Sequence, residues 1–99
     1  MDLSADLRAA QDTFDQADRE LVDARNRLDT ATAAYDRIRR ATPVGAPVTG
    51  ARAAWGLAGL ECWNALIARE TAKDDLAAAR RTTDRDAADA LLLPTRRPR

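Results

Sequence analysis

Histidine is absent from this chain, cysteine and methionine occur once each, and only four residues are aromatic. Without histidine the commonest general base and metal ligand are gone. The lone Cys62 makes no intramolecular disulfide and fits a reducing compartment. With no histidine beside it, it builds neither a nucleophile dyad nor a zinc cluster. There is no excess of charge: 16 acidic residues balance 16 basic ones, so the overall electrostatic signature of a nucleic-acid binder is missing. Met1-Asp2-Leu3-Ser4 offers neither a basic region nor an apolar core, and no secretory signal is expected there. Long apolar runs are also lacking. The longest stretch, 53–68, is broken by Glu61 and Asn64 and falls short of the roughly 20 residues that cross a bilayer.

What remains is a chain of 99 residues, one domain's worth, rich in alanine, leucine and arginine, all good helix formers. From Leu3 to Ile38 the apolar residues step by alternating fours and threes: Leu3, Leu7, Ala10, Phe14, Ala17, Leu21, Ala24, Leu28, Ala31, Tyr35, Ile38. Such a run marks a helix whose narrow apolar seam faces one partner helix. Large residues alternate with alanines along it, so the partner approaches closely at one position and is covered at the next. Asp15 with Arg19, Asp23 with Arg27 and Asp36 with Arg40 stand at the supportive four-residue spacing, and Asp2 or Ser4 can cap the start. The helix is expected over about 3–41, roughly 58 Å long.

Pro43 must end it. The stretch 42–49 carries the mid-chain turn chemistry, Thr49 is a plausible cap, and a second helix is expected over about 50–92. Alanines 58, 65, 72 and 79 recur every seven residues and echo the first stripe. The fold class expected is therefore all-α, a long antiparallel two-helix hairpin assembling into a helical bundle. With the loop centred near residue 46, Tyr35 should meet Leu57, Leu28 should meet Asn64, and Phe14 should meet Ala78. Asn64 in that seam would fix register, unless it faces solvent instead. Thr82-Thr83-Asp84 is a weak point where a short third helix, 84–92, is the alternative. Pro94 should end the helix and leave 94–99 as a flexible basic tail.

The second helix divides unevenly. Residues 68–90 are alanine and charge, whereas 51–67 are apolar nearly all round. On a helical wheel Trp55, Cys62 and Leu66 form one ridge, and Leu60, Trp63 and Ile67 form another roughly 100° away, with Gly56 and Gly59 between. One facing helix cannot cover both ridges, and a helix apolar all round is buried on more than one side. Trp55, Gly56, Gly59, Leu60, Trp63, Leu66 and Ile67 are therefore the expected protein interface. The alternative is a bent first helix, or a third helix folding back, that buries the same residues internally.

No catalytic, cofactor-binding or metal-ligating residue is expected. Asp74 and Asp75, or Asp84, Asp86 and Asp89, read as a solvated face, and Cys62 reads as a small core residue. The expected partner is protein, as a homo-oligomer or a larger assembly such as a virion or multiprotein particle. Neither a membrane nor a small-molecule substrate is expected, and the place is the cytoplasm or the particle itself. A helical regulator occupying a partner's groove is the second reading. Phosphate contact through Arg96, Arg97 and Arg99, and hence nucleic acid, is the lesser one.

In gross form the chain resembles the Trp-x-Gly family of small secreted bacterial helical hairpins: similar length, two antiparallel helices, a Trp and a Gly near the middle. That resemblance would imply a turn-borne Trp-x-Gly and a tyrosine-based export signal. Here Trp55 and Gly56 are adjacent and lie inside the second helix, and the C-terminal stretch has no such tyrosine, so the family is not assigned.

Overall fold

The computed structural model describes residues 3–96, with side chains over 4–92. Two helices make up the fold, α1 (Leu3–Ala41) and α2 (Thr49–Arg96), packed along their length as an antiparallel hairpin. The molecule measures 88 × 16 × 16 Å, with a radius of gyration of 23.3 Å. A compact chain of this length would have a radius near 13 Å. Two helices side by side have no third layer to close over them, so the rod exposes 7678 Å². A globular monomer of the same mass exposes about 5,500 Å².

The alternating seam is what holds the hairpin. Ala17, Leu21 and Ala24 of α1 are buried, as are Ala58, Ala72 and Leu76 of α2, while Leu7, Phe14, Leu28 and Tyr35 are half-buried beside them. Alanines at the seam let the backbones approach, and the larger residues flank and cover them. Ile38 breaks the pattern at 44% exposure.

Asp6 in the first turn of α1 and Arg39 and Arg40 in its last turn complement the helix dipole. At its end the Thr42 hydroxyl donates to the Ile38 carbonyl at 2.6 Å. Pro43 then forces the chain out. Its carbonyl accepts from Ala46 N at 3.0 Å, closing a turn whose third residue, Gly45, sits at φ +88°. A side chain would be strained there, which is why glycine occupies the site. The first bond of α2 runs from Arg52 N to the Val48 carbonyl at 3.0 Å. Val48 therefore takes the N-cap position, one residue before the expected Thr49, which becomes the first helical residue.

The far end of α2 follows the expected continuous helix rather than the alternative break, and corrects one expectation, the stop at Pro94. The helix passes through Thr82-Thr83-Asp84 without a break, and among the described residues there is no third helix. The Thr82 and Thr83 hydroxyls donate to the carbonyls of Ala78 and Ala79, at 3.1 and 2.9 Å, satisfying themselves on their own helix instead of competing with it. The helix also runs past Pro94 to Arg96. A proline this near the end costs one hydrogen bond and leaves few residues beyond it to be disturbed. Of the arginines assigned to a basic tail, Arg97 and Arg99 lie outside the described residues, and Arg96 closes α2. The Asp2 cap also lies outside them, and Ser4 is within α1.

Candidate helix-association surface

Aromatic packing near the loop sets the register of the hairpin. Trp55 stacks on Tyr35 with ring centroids 5.1 Å apart and planes 12° from parallel. Its Nε1 donates to the Thr32 hydroxyl at 3.1 Å, and that hydroxyl in turn donates to the Leu28 carbonyl at 2.8 Å. Tyr35 therefore meets Trp55 and not Leu57. Leu28 lies against Gly59, whose would-be Cβ stands 4.0 Å from its Cδ1, while Asn64 is exposed. The slip from the expected pairing is two residues at Tyr35 and five, about a turn and a half, at Leu28. A loop midpoint locates two helices only coarsely, and a stacked, hydrogen-bonded Trp outweighs it.

Further along, Arg69 occupies the seam position seven residues after Cys62 and seven before Leu76. It donates from Nε to Asp18 Oδ1 at 2.7 Å and pairs with Glu70 at 3.2 Å. Its guanidinium lies over the Phe14 ring, 5.4 Å from the centroid. Phe14 thus finds Arg69 above it where Ala78 was expected. Reading 68–90 as alanine and charge hides this residue; following the seven-residue step through an arginine would have found it. Arg80 adds a cross-helix bond to Gln11 at 3.0 Å. The three expected ion pairs within α1 are not formed: Asp15 accepts from Gln11, Arg19 donates to Gln16, and Arg27 reaches across to Glu61 at 3.5 Å. A four-residue spacing permits such a pair, but an exposed pair is worth too little to exclude its competitors.

The apolar segment of α2 is split by this packing. Trp55, Cys62, Gly59 and Leu66 lie towards α1, with Cys62, Gly59 and Leu66 half-buried. Leu60, Trp63 and Ile67 are 56, 60 and 49% exposed, and Leu57, not singled out from the sequence, is 58% exposed. At helical spacing, Gly56, Leu60, Trp63 and Ile67 fall on the side of α2 turned away from the buried stripe Ala58–Ala65–Ala72. Nothing lies within 4 Å of a Cβ built on Gly56. The hairpin alone therefore leaves these side chains in water, and neither a bend in α1 nor a folded-back helix covers them.

Among the described residues no group of three or more His, Cys, Asp or Glu side chains is placed to hold a metal ion, and no helix is long and apolar enough to cross a membrane. No protein-family model, no curated protein and no solved structure matches this chain.

Proposed function

We propose that this chain is a non-enzymatic structural or adaptor protein that acts through helix–helix association, with the outer face of α2 as its contact surface. One observation carries the reading: Leu57, Leu60, Trp63 and Ile67 stand together, each about half exposed or more, on a two-helix rod with nothing to cover them. Apolar clusters of that kind on a monomer's surface mark association sites, and Trp is among the residues that contribute most to binding energy when desolvated. The surplus of exposed area on the rod points the same way.

The test compares wild type with Trp63→Asp, both purified and in an extract of the source cells. Light scattering on a sizing column reads the mass, and circular dichroism reads helicity. Wild type should run as an assembly in at least one of the two settings, and the variant should run as a free hairpin of unchanged helicity. A wild-type chain that runs at 10.8 kDa in both settings would overturn the reading. So would a variant that loses its helices, since Trp63 would then belong to the fold.

A further inference from the structure

We infer that the occupant of this face is a second copy of the chain, its α2 lying antiparallel to the first about a twofold axis at Leu60. This inference rests on the association reading above and commits it to one partner and one register.

Gly56 lies on the same outer side of α2 as Leu60, Trp63 and Ile67. Glycine inside a helix is unfavourable relative to alanine, and within the hairpin nothing requires one there, because a Cβ at Gly56 would meet open space. What calls for glycine there therefore lies outside the single chain. An antiparallel pair centred on Leu60 brings together residues equally far from it in opposite directions. Leu60 meets Leu60 of the second copy, Ala53 meets Ile67, and Gly56 and Leu57 come level with Asn64 and Trp63, each within one residue of the other's partner. Trp63 and Ile67 of one copy then fall on small residues of the other, Gly56 and Ala53, while Leu57 lies beside Asn64. The indole of Trp63, 60% exposed, lies across the bare backbone at Gly56. In a twofold antiparallel pair, residues on the same flank of the two helices face each other. Gly56 and Trp63 share one flank and Leu57 and Asn64 share the other, so shape and handedness agree.

Charge agrees as well. Arg52 and Glu70 are both exposed and occupy the same flank, and the pairing brings Arg52 of each copy within two residues of the level of Glu70 of the other, so that Glu70, already paired with Arg69 of its own chain, would lie between two arginines at each end of the contact. These are rim positions, where opposite charges select orientation more than they add affinity. A parallel pairing would set Arg52 against Arg52 and Gly56 against Gly56, leaving each Trp63 against another Trp63. The overlap of the two α2 helices would run from Thr49 to Thr71, about 34 Å. The four large side chains together with their flanks would bury on the order of 1,200 Å² over both copies. That is the lower end of the range for specific interfaces, so the dimer should dissociate on dilution.

The experiment uses the full chain. Sedimentation equilibrium over a wide concentration range should show a monomer–dimer transition. Gly56→Leu should raise the dissociation constant about tenfold or more by filling the space that Trp63 needs. Arg52→Glu should weaken the dimer, and Arg52→Glu with Glu70→Arg should restore it. In a Cys62→Ala background, Leu60→Cys should cross-link across the axis on mild oxidation. Thr71→Cys should not, since the two copies of that residue would lie about 33 Å apart. Cross-linking at both positions would indicate parallel pairing and overturn the proposal. A purified chain that stays monomeric at every concentration would also overturn it. The association reading would then be judged separately, by the mass of the chain in the source extract.

Discussion

Replacing Gly56 with alanine should stabilise the isolated hairpin. The position lies inside α2, seven residues from its start, and a Cβ there meets no atom within 4 Å. Neither a clash nor a new contact enters, so the effect reduces to helix propensity, about 1 kcal/mol in alanine's favour. Part of that gain arises in the unfolded chain, where glycine has more freedom to lose. For a domain of this size the gain amounts to a rise in midpoint of about 4–8 °C. Thermal unfolding by far-ultraviolet circular dichroism, at concentrations where the chain is monomeric, measures it directly. Gly59→Ala is the companion variant: its Cβ would stand 4.0 Å from Leu28 Cδ1, an ordinary van der Waals contact, so it should gain at least as much. A fall in the midpoint of Gly56→Ala would refute the reasoning, because it would require something within the single chain to pack against that backbone.

Three further outcomes follow from the packing of α1 on α2. Leu21→Ala removes the most deeply buried large side chain, 2% exposed, and should cost about 3 kcal/mol in urea denaturation; a loss below about 1 kcal/mol would mean the seam is looser than described. Trp55→Phe keeps a ring on Tyr35 but loses the donor to Thr32, and should cost about 1 kcal/mol, whereas Trp55→Ala should cost clearly more. Arg69→Met retains an apolar cover for Phe14 while removing the pair with Asp18. It should be within about 1 kcal/mol of wild type, because the pair is part-exposed, with stability less sensitive to salt. Arg69→Ala should lose more than Arg69→Met if packing matters beyond charge.

The helices and the faces they bury were readable from residue order, because both depend on local periodicity. A seam that recurs every three and four residues states which side of α1 is apolar whatever it packs against. The alanines at 58, 65, 72 and 79 did the same for α2, where 58 and 72 are buried and 65 and 79 half-buried. The hinge followed from Pro43, whose ring restricts the backbone, and Gly45, which is free to take a positive φ, and both act within one or two residues. The end of α2 was less readable, since Thr82, Thr83 and Pro94 carry helix-breaking tendencies that neighbouring turns override.

Tertiary structure alone decided the register and the division of the apolar segment. Sliding one long amphipathic helix along another changes the buried area little, so the pattern leaves several alignments close in energy. The choice among them falls to particular contacts: Trp55 stacked on Tyr35 and bonded to Thr32, and Arg69 laid over Phe14 and paired with Asp18. Once that alignment is set, Trp55 and Leu66 turn towards α1, while Leu57, Leu60, Trp63 and Ile67 remain outside. The sequence by itself determined that 51–67 carries more apolar surface than one helix can cover. Which side chains are left over depends on where the partner helix lies, and that is a property of two segments meeting, not of either one alone.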